Sequence, residues 1–388
     1  MDLIEVNTKS LAQDFIRANV ELNSSNPNYI RPLDKDINDV FDKKKNKVFR
    51  IKGGEATRWI LKQNGNLIGR IAAFVNPKYK NKGDEGGIGG VGFFDCINSQ
   101  EAADTLFDVS KHWLNKRGMA AMDGPINFGE RDRWWGLVVE GFQSPLYCMN
   151  YNPPYYKDLF ERYGFKTFYN QVCFGLDPKK PLIGRLYERH NHFVNDAAFS
   201  ARHITKKELD KFAVDFATIY NKAWAGHAGM KELSIQAVKK IFASLRPVLD
   251  ERLSWFAYHN GDPIAMFINL PDLNQYFRHL NGRFDLFHKL KFLWLKKTMK
   301  CKKFYGLVFG VVPEWQGKGV DAYVIGESAK LIQPYTDYTE YEMQWIGDFN
   351  PKMINVVERL EEPFRSRKLI TYRYLFDPTR EFKPHPIL

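Results

Sequence analysis

Trp59-Ile-Leu-Lys-Gln-Asn-Gly65 and Trp255-Phe-Ala-Tyr-His-Asn-Gly261 are one pattern written twice, roughly 200 residues apart. After each Asn-Gly comes Ile-Ala-x-Phe-x-Asn, at Ile71 to Asn76 and again at Ile264 to Asn269. Upstream, Thr8 and Phe15 match Thr205 and Phe212; downstream, Asn150-Tyr-Asn-Pro153 matches Asp348-Phe-Asn-Pro351. One such match would carry little weight. Ordered matches at a nearly constant offset identify two copies of one fold, a repeat of domain size. The 388 residues suit this division, at about 150 residues per domain.

Each copy has the same plan. A short strand (Leu3–Val6; Phe199–Ile204) leads to a helix, opened by Ser10-x-x-Gln13 or Thr205-x-x-Glu208 as a capping box. A hairpin follows, with Asn64-Gly65 or Asn260-Gly261 at its tip. Then come a strand (Gly90–Phe94; Phe304–Val312), a helix (Gln100–Lys116; Asp321–Leu331), a strand (Ala120–Asp123; Glu340–Ile346) and a last helix after Asn-Pro. The fold class this predicts is α/β of the α+β kind: two tandem domains, each a mixed, mostly antiparallel sheet flanked by helices. The expected divisions are 1–178, a linker at 179–194 that begins near Asp177-Pro-Lys-Lys-Pro181, and 195–388. The second copy alone carries an insertion at about 271–303.

Hydrophobic residues are 44% and charged residues 26%, which excludes wholesale disorder. No apolar run is long enough to span a bilayer, and the N-terminus lacks a secretory pattern, so a cytoplasmic protein is expected. Cys96, Cys148, Cys173 and Cys301 are scattered and read as reduced thiols. No metal is expected, since His190-x-His192 is the one close histidine pair and no carboxylate–histidine pattern accompanies it. The +12 charge favours anionic partners: phosphates, an acidic lipid surface or nucleic acid.

The second copy also has Val312-Pro-Glu-Trp-Gln-Gly-Lys-Gly-Val-Asp321 between a strand and a helix. Glycines there let the backbone approach a ligand, and first-turn N–H groups can face phosphate oxygens. A glycine-rich connection that binds nothing is the alternative. The pattern Val-x-Pro-x-x-Gln-Gly-x-Gly resembles the pyrophosphate loop of the GNAT acyltransferase superfamily. Gln316 and Gly319 match that loop, while Asp321 stands where a small residue is usual. A narrower resemblance, to the YghO-like, bacterial ceramide synthase-like tandem GNAT family, rests on Gly69-Arg-Ile-Ala72, Gly124-Pro125, Tyr151-Asn-Pro-Pro-Tyr-Tyr156, Leu270-Pro-Asp-Leu-Asn274 and Gly319-Val-Asp321.

The resemblance implies transfer of an acyl group from acetyl-CoA or a longer acyl-CoA to an amine, by direct attack; for the ceramide synthase branch the amine would be a sphingoid base. It assigns the acyl-CoA to Val311, Val312, Gln316, Gly317, Lys318, Gly319, Val320, Asp321 and Asn350, with the Val312 (or Val311) backbone N–H taking the thioester oxygen. The superfamily's tyrosine acid, seven residues after the asparagine, is Val357 here.

Amide formation needs an amine freed of its proton beside the carbonyl. Glu342 is the expected base, with Glu340 on the same strand face; the alternative is that both sit on a solvated or salt-bridged face. The first copy has Asn98-Ser-Gln-Glu101 in place of the glycine loop, so it is not expected to bind CoA phosphates. Its Asp123, Asn127, Glu130 and Tyr156 are candidates for an acceptor site between the halves; a solvated loop and core packing are the alternatives. In the insertion, Leu286, Phe287, Leu290, Leu293 and Trp294 fall at helical spacing among lysines. That reads as a basic amphipathic helix, docked on its own domain or on an anionic membrane surface. Two other functions remain: a degenerate GNAT pair that binds CoA or lipid without turnover, and nucleic-acid binding, ranked last because no recognition motif appears.

Overall fold

The computed structural model describes residues 1–182, 184–224, 232–358 and 363–387. The first half runs β1 (Asp2–Glu5), α1 (Lys9–Asn23), α2 (Asp34–Phe41), β2 (Glu55–Gln63), β3 (Asn66–Val75), β4 (Gly87–Cys96), α3 (Gln100–Asn115), β5 (Met119–Gly124), β6 (Leu137–Glu140), α4 (Tyr156–Tyr163) and β7 (Lys166–Leu176). A helix, α5 (Gly184–Val194), comes next. The second half runs β8 (Phe199–His203), α6 (Leu209–Trp224), α7 (Ile235–Leu245), β9 (Trp255–His259), β10 (Asp262–Pro271), α8 (Asn274–Phe277), α9 (Leu286–Thr298), β11 (Lys303–Val311), α10 (Val320–Tyr335), β12 (Glu340–Gly347), α11 (Pro351–Glu358) and β13 (Phe364–Leu375).

The repeat is present in three dimensions. Both Asn-Gly tips have positive φ at both residues (50° and 80°; 49° and 87°), the turn that matches the twist of a two-residue hairpin. The caps differ from expectation. Thr8, not Ser10, caps α1 by accepting the Leu11 N–H at 3.2 Å. Thr205 bonds the Glu208 side chain, and α6 starts at Leu209.

The two halves exchange their last strands. The sheet order is β1-β2-β3-β4-β5-β13-β7-β12-β11-β10-β9-β8, with β6 beside β13. β13, from the end of the chain, pairs with β5 of the first half, while β7 crosses to pair with β12 of the second. β7 and β13 also pair with each other, from Phe364 opposite Gly175 to Arg373 opposite Lys166. One continuous sheet results. Neither strand was predicted; each follows the helix at which the sequence plan stopped. The stretch predicted as a linker carries α5, whose Leu186, His190 and Phe193 are buried, at helical spacing. Ile183 lies outside the described residues.

Each half contains one parallel pair that opens into a wedge. β4 pairs with β5 from Gly87 to Gly90, and β11 with β12 from Lys303 to Gly306; beyond these the strands part. In the first half the wedge is filled by its own backbone. The Ile126 N–H donates to Val91 O at 2.8 Å, and a Cβ on Gly92 would sit 2.0 Å from Ile126 O. Only glycine permits that approach. In the second half the wedge is open.

Candidate functional site

The open wedge leads into a cavity of about 1720 Å³. Leu307, Val308 and Phe309 line it from β11, and Gln344 to Gly347 from β12. Helix α10 lines it with Asp321, Ile325 and Ile332, and α5 with Arg185 and Arg189. Lys80, Lys82 and Arg131 come from the first half. Its volume exceeds the roughly 300–1,000 Å³ of ordinary ligand sites.

The glycine loop stands where α10 begins. Gly317 and Gly319 have φ of 75° and 93°, and Gly319 is the N-cap, with no side chain bonded to the first-turn amides. Those amides have no intrahelical acceptor. A Cβ on Gly317 would meet nothing within 4 Å, whereas one on Gly319 would meet Phe193 and the Arg189 Cβ of α5 at 3.4 and 3.6 Å. Helix α5 therefore lies across the loop and carries two exposed arginines to it. Neither arginine has an ion-pair partner among the described residues. Lys318 sits over the Trp315 ring at 5.0 Å, and the Gln316 amide donates to Val311 O at 3.0 Å. Amides, helix dipole and cations converge as a phosphate site requires. Asp321, in the first turn, brings the opposite charge.

Val312 does not supply a free N–H. Its amide donates to Ile264 O of β10 at 2.9 Å. Antiparallel pairing alternates, so the Phe309 and Val311 amides point away from β10, into the wedge. Of the two residues expected to offer a backbone donor, Val311 has the orientation and Val312 does not, and Phe309 shares the orientation of Val311. Asn350 lines the cavity, and its side chain caps α11 by accepting the Met353 N–H at 3.2 Å.

At Glu342 the salt-bridged alternative is the arrangement observed. It is 1% exposed and does not line the cavity. Arg367 Nε meets its Oε1 at 2.6 Å, the Ser366 hydroxyl donates to the same oxygen at 3.1 Å, and Lys303 pairs with Oε2. Burial opposes ionisation, but the charges and hydrogen bonds of Arg367 and Lys303 prevail and hold the carboxyl below its ordinary range. A carboxylate so stabilised is a poor proton acceptor. Arg367 also donates to the carbonyls of Gln143 and Ser144 in the first half. Glu340 is exposed at the start of β12, opposite Lys303.

None of the four acceptor-site candidates lines the cavity. Asp123 is buried against Arg373 Nε at 2.6 Å and accepts the Tyr79 hydroxyl at 2.6 Å; burial pushes its pKa up despite the arginine. Tyr156 is buried in the first half, where its hydroxyl accepts the Cys96 N–H at 2.9 Å and donates to Asp95. Asn127 reaches only the Glu130 carbonyl, at 3.4 Å, and Glu130 is exposed, paired with Arg133 at 3.2 Å. His190 of the histidine pair is buried on Gly326 and bonds Glu327 at 2.8 Å.

The cavity wall includes a histidine the sequence did not single out. His385 stacks on Phe349 with ring centres 4.3 Å apart, and its Nδ1 lies 2.8 Å from Pro386 O. A carbonyl only accepts, so Nδ1 carries the proton and Nε2 holds the lone pair of the neutral ring. Burial lowers its pKa, helped by Arg131 and Arg373 and opposed by the hydrogen bond to Pro386 O and by Asp84. No motif surrounds it, and only the folded chain brings it to this cavity.

No family model matches the chain. It is 24% identical to the bacterial ceramide synthase of Caulobacter vibrioides over 366 residues, covering 93% of this chain and 94% of that protein. It is 23% identical to protein YghO of Escherichia coli over 323 residues, covering 80% of each. Among solved structures, a tandem GNAT protein from the clavulanic acid biosynthesis pathway superimposes with a TM-score of 0.54 at 10% identity, covering 98% of this chain and 99% of that one. A GCN5-related N-acetyltransferase from Sphaerobacter thermophilus gives 0.50 at 11% identity, with 98% of each chain covered.

Proposed function

From the premise that the chain is a tandem GNAT protein akin to bacterial ceramide synthase and YghO, we propose that it is an acyl-CoA-dependent N-acyltransferase. The observation that carries this reading is the asymmetry between the wedges: filled by Ile126 in the first half, open onto a glycine loop and a large cavity in the second. Acyl-CoA would lie in the second half, with its phosphates at the first turn of α10 between Lys318, Arg185 and Arg189. Its thioester oxygen would take the Phe309 or Val311 N–H, an arrangement that stabilises the oxyanion formed on attack. The acceptor is an amine, which arrives protonated and must lose that proton before it attacks. His385 Nε2 takes it. Attack leaves the nitrogen with a second proton, which passes to the departing CoA sulfur or to water as the thiolate is expelled and the amide forms. Val357, buried where the superfamily's tyrosine acid is usual, gives the thiolate no proton donor.

The size and apolar lining of the cavity support a long-chain acyl group and a lipidic, sphingoid-type amine. Phe267, Phe304, Ile332, Met343 and Met353 offer more apolar surface than a two-carbon acyl group can cover. Calorimetric titration with CoA, acetyl-CoA and palmitoyl-CoA tests this, followed by mass-spectrometric assay with sphingoid bases. Affinity that rises with chain length, and an amide product, are expected. Acetyl-CoA binding alone would replace the lipid reading with a small-amine one, and no binding would end both.

Val357 also favours a second reading, binding without turnover. It predicts the same titrations and no amide product.

The phosphate assignment has its own test. Arg185→Glu with Arg189→Glu reverses two exposed charges and spares the buried face of α5. CoA affinity should fall by about tenfold, ~1.4 kcal/mol, with the urea midpoint unchanged. Affinity equal to the parent's would remove α5 from the site.

A further inference from the structure

The expected helix in the insertion exists, and it is not docked in the way that would hide its apolar stripe. Asp285 caps α9 by accepting the His288 N–H at 3.1 Å. Phe292 and Leu295 turn inward, into an apolar cluster with Phe304, Ile332 and Tyr341. The other side carries Leu286 (75% exposed), Phe287 (70%), Leu290 (59%), Leu293 (52%) and Trp294 (61%). These occupy positions i, i+1, i+4, i+7 and i+8, a continuous stripe. Single exposed leucines are ordinary; five large apolar side chains side by side on one helix mark a surface that meets something.

Charge selects what it meets. Lys289, Lys291, Lys296 and Lys297 are the only ionisable side chains on α9 besides His288, and the helix has no acid. Lys289 and Lys297 are exposed beside the stripe, while Lys291 and Lys296 bond the carbonyls of His279 and Pro247 on the inner side. An apolar stripe edged by cations on a protein of charge +12 complements a surface that is apolar within and anionic at its rim. No described helix is long and apolar enough to cross a membrane. We propose that α9 lies in the plane of an anionic lipid surface, with Leu286, Phe287, Leu290, Leu293 and Trp294 among the acyl chains and Lys289 and Lys297 at the phosphates. The inner face of α9 shares its cluster with Phe304, Ile332 and Tyr341, which also line the cavity, so docking seats the cavity's apolar wall next to the bilayer. The proposal goes beyond acyl transfer and stands even if that reading fails.

The test is flotation of the full chain with vesicles of phosphatidylglycerol and phosphatidylcholine in equal parts, against vesicles of phosphatidylcholine alone. The parent should bind the mixed vesicles, about tenfold more weakly when the anionic lipid is left out or salt is raised. Leu290→Glu with Leu293→Glu should abolish flotation. Both side chains are exposed, so the urea midpoint should not move. Lys289→Glu with Lys297→Glu should remove the preference for anionic lipid. Failure of the parent to float, or equal flotation of the Leu290→Glu, Leu293→Glu variant, overturns the proposal. So does a parent dimer in light scattering that this variant converts to monomer, since the stripe would then be covered by a second copy.

Discussion

Glu342→Gln should lower folding stability by about 3–5 kcal/mol, the cost of leaving a buried charge without its partner. Arg367 is 2% exposed and Lys303 lies beside it, so the variant strands two cations against the same neutral amide. The residues that would lose order span the molecule: β12, β13 and the carbonyls of Gln143 and Ser144. The shift in urea midpoint reads the effect. A double-mutant cycle with Arg367→Met separates the pair from its surroundings, and the double variant should lose less than the sum of the singles. The acid dependence has a definite sign. The carboxyl's folded pKa lies below its ordinary 4.5, so its stabilisation is complete above that value and is lost as pH falls through the lower, folded value. The gap between parent and variant should therefore close only in acid below about pH 4.5. A midpoint within experimental error of the parent's near neutrality would dissolve the ion cluster as a structural element. A variant that stays fully stable yet loses turnover would return Glu342 to the chemistry.

His385→Gln should lower kcat by about a hundredfold, the contribution typical of a positioned proton acceptor, with palmitoyl-CoA affinity nearly unchanged. The pH profile distinguishes this from mere packing. The ring is active when neutral and its pKa lies below the ordinary 6.5, so the parent's acid limb should fall below that value. In the variant that limb should vanish, leaving only the titration of the amine itself. An acid limb that persists in the variant, or a loss confined to KM, would make His385 a wall residue.

The repeat, the hairpins and the glycine loop were legible because each is written in short patterns: Asn-Gly fixes a turn, glycines before a helix fix a loop. The strand exchange was not. Lys166–Leu176 and Phe364–Leu375 say nothing about which sheet they enter; that is settled by partners as far apart as Tyr372 and Gly124. The choice between base and salt bridge at Glu342 stayed open for the same reason, since its partner Arg367 sits on a strand that was not foreseen. Helix α5 could have been found. Leu186, His190 and Phe193 form an apolar stripe, but the prolines before them drew attention to a break, and Arg185 and Arg189 were overlooked with it. His385 could not have been found, for a lone histidine beyond the last strand has no pattern to be read from.

The exchange of β7 and β13 also sets an order on biosynthesis. When the first half emerges from the ribosome, the far edge of β5 is bare, and the strand that covers it is made more than half the chain later. β7 meanwhile waits for β12, and neither edge can close until β12 and β13 have been made. A nascent chain of this kind carries an open sheet edge while the whole second half is synthesised, the condition under which chains pair with one another instead of with themselves. Its yield in a cell should depend on elongation rate and on chaperones that shield strands, far more than the stability of the finished molecule would suggest.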